Sequence, residues 1–154
     1  MPTHQSEYED VAIGMDRNEV SYIKGTPFSG HYPTQQQKLI DQGKSKWDAF
    51  VATFIKTKEL PKGLSINDAA YWTYELYDAT LSIHFDGNDR VERVVCYSEK
   101  QYRFGCDSVS NIHIGSGEDE VRKVFGTPDS ETIKYGRKTL RFDKYNVGFT
   151  LTCH

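Results

Sequence analysis

The sequence predicts an α+β fold of two tandem helix-plus-antiparallel-meander units, with a helical insertion in the first. Three observations predict it. A fifteen-residue segment recurs at an offset of 101, the hydrophobic period switches from helical to alternating after each copy, and turn residues separate the alternating runs. A chain of 154 residues, 37% hydrophobic and 27% charged, buries roughly 70% of the surface its unfolded form exposes, so a core forms without metal or dense disulfides.

The repeated segment runs from Ile13 to Pro27 and from Ile114 to Pro128, with seven of the fifteen positions identical. In each copy a Gly precedes acidic residues placed for the positive end of a helix dipole. Val20 and Ile23, or Val121 and Val124, then fall at helical spacing, and Gly-Thr-Pro ends the helix. Beyond it, Thr80-Leu81-Ser82-Ile83-His84-Phe85-Asp86 matches Thr139-Leu140-Arg141-Phe142-Asp143 at an offset of 59, which predicts an insertion of 42 residues in the first copy. Trp72, Tyr74 and Leu76 share one strand face, as do Leu81, Ile83 and Phe85; in the second copy Leu140 and Phe142 are followed by Val147, Phe149 and Leu151. Asp86-Gly87-Asn88-Asp89 and Asp143-Lys144-Tyr145-Asn146 supply hairpin residues between strands. A strand from about Arg90 to Tyr97 completes the first unit. The units are thus expected at 10–98, with the insertion at about 28–69, and at 112–154, with a connector at 99–111.

Within the insertion, Thr34-Gln35-Gln36-Gln37 fits a capping box, and Trp47, Phe50, Val51, Phe54 and Ile55 fall at i, i+3, i+4, i+7 and i+8. That pattern predicts one amphipathic helix, with a break placed near Gly43, ending by Pro61-Lys62-Gly63. Its aromatic stripe is expected to pack on the first unit's sheet, the alternative being a helix that docks in a partner's groove.

Charge and composition exclude several function classes. Lys and Arg number 19 against 22 Asp and Glu, a net charge of -3 without a long basic block, which argues against nucleic acid as a partner. No apolar run approaches the ~18 residues that cross a bilayer. Residues 1–7 lack the basic and apolar regions of a secretory signal, so the chain is either cytosolic or begins after a removed leader. Cys96, Cys106 and Cys153 allow three pairings of one disulfide and one thiol, or three reduced thiols with two as small strand hydrophobes.

No catalytic, metal-ligating or cofactor-binding residue is expected. His4, His31, His84, His113 and His154 form neither a helical i, i+4 pair nor a Cys/His cluster. His84 and Asp86 share a predicted strand face, which an ordinary polar sheet face explains. Gly115-Ser116-Gly117 lacks the continuation of a nucleotide fingerprint and reads as a helix entry.

The run Ile13-Gly14-Met15 with Val20, Gly25-Thr26-Pro27, Trp72-Thr73-Tyr74, and Phe85-Asp86-Gly87 with Val91 resembles the SmpA/OmlA family of outer-membrane assembly lipoproteins, also called BamE. Two such units in tandem look like the β-lactamase inhibitory proteins. The resemblance implies a non-enzymatic protein-binding module of the bacterial cell envelope, inhibitor- or adaptor-like, in the periplasm or at the outer membrane. A BamE-type assembly or structural lipoprotein is the alternative it implies, and a small-molecule binder or enzyme the third. The partner implied is another protein, with any lipid anchor lying outside this chain. The single-unit family members have neither the insertion nor the second copy, and no lipidated cysteine is present here, so no family site residue transfers. An oxidising compartment favours the nearest pair, Cys96 with Cys106, leaving Cys153 free.

Aromatic surface is the remaining signal, with ten Tyr, eight Phe and two Trp exceeding what the predicted core needs. With Trp72, Tyr74 and Leu76 inward, alternation turns Tyr71, Thr73, Glu75 and Tyr77 outward, then Thr80, Ser82 and His84, and in the second unit Arg141. That outward face is expected to be free for a partner, with Tyr71, Tyr77, His84 and Arg141 as protein-binding residues, the alternative being an ordinary solvated sheet face.

Overall fold

The computed structural model describes residues 7–98 and 105–152, and these form a mixed α+β protein with antiparallel sheets. The first of two compact units holds 7–98 with Gly105 and Cys106, and the second holds 107–152. Of the expected connector, 99–104 lie outside the described residues, as do His4, Cys153 and His154.

In the first unit a short hairpin of β1 (Glu7–Tyr8) and β2 (Val11–Ala12) precedes α1 (Arg17–Lys24). Asp16 caps α1 by accepting from the Glu19 amide, and the Glu19 carboxylate accepts from the Asp16 amide in return. The helix stops at Gly25, whose φ of 81° and ψ of -162° suit glycine alone. Then come β3 (Ser29–His31), α2 (Gln35–Asp41), α3 (Lys46–Ala52), β4 (Phe54–Lys56), β5 (Tyr71–Leu76), β6 (Ala79–Phe85) and β7 (Val91–Tyr97). They build one sheet of order β4-β3-β5-β6-β7. One face of it, with Trp72, Tyr74, Leu81, Ile83 and Phe85, packs with Val11 and Val20 into the core. Fully burying such aliphatic and aromatic side chains stabilises by about 1.5–3 kcal/mol each.

The insertion differs from the single helix expected. Thr34 makes no side-chain cap, and Ser45 caps a second helix by accepting from the Asp48 amide. Phe54 and Ile55 continue the helical spacing on paper, yet they lie in β4, paired with His31 and Gly30. Thr53 causes the break: its hydroxyl donates to the Phe50 carbonyl and closes α3, and its own carbonyl accepts from the Tyr32 amide. Gly30 is what lets the chain close over this strand, since a Cβ there would stand 2.7 Å from the Ala69 Cβ.

In the second unit, α4 (Glu118–Phe125) ends at Gly126 and precedes β8 (Ser130–Lys134), β9 (Arg137–Phe142) and β10 (Val147–Thr152), in a sheet of order β10-β9-β8. Ile112, Val121, Leu140 and Phe142 form its core, with Phe125, Val147 and Phe149 packed against them. On the helix side Glu118, Arg122, Glu131 and Lys138 form an ion-pair network at 2.6–3.4 Å.

Strand pairing corrects the second sequence match. The strand after Gly25-Thr26-Pro27 is β3, and the one after Gly126-Thr127-Pro128 is β8. Each enters its sheet through the same irregular bond, Phe28 N–H to the Thr73 carbonyl and Asp129 N–H to the Arg141 carbonyl, both 2.8 Å. Ser29 pairs with Thr73, and Ser130 with Arg141; Trp72 pairs with Ile83, and Leu140 with Phe149. Strand β9 therefore has the neighbours of β5, not of β6, and the offset of 59 aligned Thr80-Leu81 with Thr139-Leu140 on composition alone. The offset between β5 and β9 is 68, so the extra chain in the first unit is 33 residues rather than 42. It sits at the tip of the β3–β5 hairpin, where β8 and β9 are joined by Tyr135-Gly136.

Candidate functional site

On the sheet face opposite the first unit's core, antiparallel register places five residues in one row: Phe54 of β4, His31 of β3, Tyr71 of β5, His84 of β6 and Arg93 of β7. Residues directly opposite in adjacent strands have Cβ atoms about 5 Å apart, which is ring-contact distance. The ring centroids are 4.3 Å apart for Phe54 and His31, 4.7 Å for His31 and Tyr71, and 3.5 Å for Tyr71 and His84. Helix α3 lengthens this chain of rings. Phe50 stands edge-on to Phe54 at 5.4 Å and to His31 at 5.9 Å, and Trp47 lies 5.9 Å beyond Phe50. The six rings run from Trp47, which is 70% exposed, through His31, which is 5% exposed, to Tyr71 and His84.

Hydroxyls hold both imidazoles. The Thr53 hydroxyl, which bonds to the Phe50 carbonyl, also lies 2.9 Å from His31 Nδ1. His84 Nε2 is 3.0 Å from the Ser82 hydroxyl. The next row of the sheet is Lys56, Ser29, Thr73, Ser82 and Val95, in which the Ser29 and Thr73 hydroxyls bond to each other. Burial lowers the pKa of His31. It lowers that of His84 further, to about 4, with Arg93 and then His31 adding to the effect. At neutral pH the rings and the hydroxyls beside them are therefore uncharged, with Arg93 and Lys56 as cations at the ends of the two rows. Such a surface suits contact with a protein, where flat rings with polar edges are the strongest anchors.

The structure brings Tyr71 and His84 together and separates them from Tyr77. Tyr77 is 81% exposed at the β5–β6 turn, at the other end of β5. Arg141 is exposed in the second unit, on the sheet face opposite Leu140, 3.8 Å from the Asp143 carboxylate. The expectation of a free outward face needs correction: Thr73 and Ser82 are buried, Tyr71 and His84 are half-buried, and α3 lies on the β4 end. Asp86 does not share a site with His84, because it lies past β6 and accepts from the Asn88 and Arg90 amides of the turn. Cys96 and Cys106 are joined by a disulfide with Cα atoms 5.8 Å apart.

Sequence reasoning missed Trp47, Phe50, Phe54 and His31 as site residues. The first three were visible as an aromatic stripe assigned to core; His31 sits in a three-residue strand too short for alternation to show. Among the described residues no group of three His, Cys, Asp or Glu is placed to hold a metal ion, and no helix is long and apolar enough to cross a membrane. No family model, curated protein or solved structure matches the chain.

Proposed function

We propose that this chain is a non-enzymatic protein-binding module of the bacterial cell envelope, inhibitor- or adaptor-like, built as two tandem BamE-like units. The ring chain from Trp47 to His84 carries the binding reading, because it joins an exposed aromatic anchor to a continuous row of packed rings on the sheet. Duplication is supported by backbone positions that recur at the offset of 101. Positive φ occurs at Glu9, Asp10, Gly14 and Gly25 and again at Ser110, Asn111, Gly115 and Gly126. Tyr8 pairs with Val11 as Val109 pairs with Ile112, and the Glu120 carboxylate accepts from the Gly117 amide as Glu19 does from Asp16. The Cys96–Cys106 disulfide supports an oxidising compartment.

The test is capture from an envelope fraction with the intact chain and with Trp47→Ala, compared by quantitative mass spectrometry. A protein retained by the first and lost with the second is the expected result. Recovery of the same proteins by both would remove the ring face as the binding surface.

A further inference from the structure

We propose that the free edge of β8 is a second docking site, for an extended segment of a partner protein that adds to the sheet antiparallel to β8 and alternates acidic with apolar side chains. It stands apart from binding through the ring face. Four observations carry it.

Strands β3 and β8 follow the same Gly-Thr-Pro, enter their sheets through the same irregular bond, and pair with β5 and β9 in the same register. In the first unit the outer edge of β3 is filled by β4, which pairs Ser29 with Lys56, Gly30 with Ile55 and His31 with Phe54. In the second unit β8 ends the sheet among the described residues, and all five of its residues are exposed. The fold thus contains, in one copy, the strand that the other lacks.

The edge is chemically prepared for pairing. Tyr135 and Gly136 both have positive φ, the two-residue hairpin type whose flanking pair, Lys134 and Arg137, is hydrogen-bonded. Alternation then turns the Ser130, Thr132 and Lys134 backbone groups toward β9 and those of Glu131 and Ile133 outward. From Ser130 to Lys134 the strand has no proline and an unbroken register, its only Lys is at its end, and Glu131 is the one charge at mid-strand.

Side chains select the occupant. On the helix side Ile133 is 72% exposed, and an apolar residue opposite it would cover that exposed side chain. On the other face Lys134 and Arg137 are exposed, and the strand positions that share this face include no Asp or Glu; Arg141, also on it, stands 3.8 Å from the Asp143 carboxylate. A second copy of β8 would bring more cations to that face, whereas an acidic–apolar strand would neutralise them.

The probe is a short capped peptide alternating Glu and Val, titrated against the full chain with amide hydrogen exchange read at β8 and β10. Binding that slows exchange at Glu131 and Ile133 by about tenfold or more is the expected result, since each outward amide gains one hydrogen bond. N-methylation of the peptide's edge-facing amides, or replacement of its Glu by Lys, is expected to weaken binding by about tenfold or more. Trp47→Ala is expected to leave this binding unchanged. The proposal is overturned by unaltered exchange at β8 under millimolar peptide, by equal affinity of the N-methylated peptide, or by protection confined to β10. Protection of β8 that grows with protein concentration in the absence of peptide would also overturn it, naming a second copy as the occupant.

Discussion

The His84 imidazole lies on the ring of Tyr71 with centroids 3.5 Å apart and planes inclined by 14°. Because Tyr71 also contacts His31, the two histidines are linked through one phenol, and a proton added to either puts charge beside a packed aromatic strip. The strip is therefore a feature of neutral pH.

The first prediction follows from that. His84 has its pKa lowered to about 4 against 6.5 for the free side chain, and His31 is shifted in the same direction. Between those values the unfolded chain binds more protons than the folded one, so stability rises with pH. The contribution is complete above about 6.5 and lost as pH falls toward 4. After allowance for the partial exposure of His84, a loss of about 1–2 kcal/mol is expected over that range. Denaturant melts at neutral and acidic pH check it, with His84→Phe flattening the dependence. An NMR midpoint for His84 near 6.5 would sink it.

A second prediction concerns helix ends. Gly25 and Gly126 adopt φ of 81° and 84° with extended ψ, and a Cβ on either would meet nothing within 4 Å. Alanine there costs backbone strain alone, about 1–3 kcal/mol at each site. Gly30→Ala fails for the opposite reason, a clash with the Ala69 Cβ at 2.7 Å and the Ile66 Cδ1 at 2.9 Å, so Ala69→Gly should restore part of its stability and do nothing for Gly25→Ala. Urea midpoints of the singles and doubles separate the two mechanisms.

How far the sequence could be read depended on whether a residue's signal was local. The ends of α1 and α4 were legible because capping and termination are written within a few residues of Asp16, Gly25, Gly117 and Gly126. Strands β5, β6, β9 and β10 showed in their alternation. Thr53 was not legible: a hydroxyl that closes α3 and also serves His31, 22 residues away, leaves no mark in a helical pattern. Strand β8, Ser-Glu-Thr-Ile-Lys, was missed because an exposed edge strand needs no apolar alternation. Its omission is what misaligned β9 with β6. Of the candidate site, Tyr71 and His84 were found from strand parity, but their row could be completed only by the register of β3 and β4.

The third prediction concerns the disulfide. Cys96 on β7 lies opposite Leu81 and is bonded to Cys106, closing a separation of 10 residues. Loop closure of that length stabilises by about 2–3 kcal/mol through the unfolded chain. Adding reductant should lower the thermal midpoint by several degrees, and Cys96→Ser with Cys106→Ser should melt at that lower value with or without reductant. A midpoint indifferent to reductant in the unmutated chain would show that the bond contributes nothing to stability.

The last prediction ranks the binding face. Trp47 is 70% exposed, so truncating it removes little intramolecular burial and should change stability by less than about 1 kcal/mol, whereas Phe50, 38% exposed and edge-on to Phe54 and His31, should lose about 1–2 kcal/mol. Against a captured partner the same truncations should each cost about 2 kcal/mol or more, because central aromatic anchors dominate such interfaces. Tyr71→Ala and His84→Ala should weaken binding and stability together, since Tyr71 and His84 stack on one another inside the row. Tyr77→Ala, at the far end of β5, and Arg141→Ala, in the other unit, should leave affinity for this face unchanged. Calorimetric titration of the six variants, paired with their thermal midpoints, checks the ranking. Full affinity in both Trp47→Ala and Phe50→Ala would move the interface off the ring face, whatever the other four show.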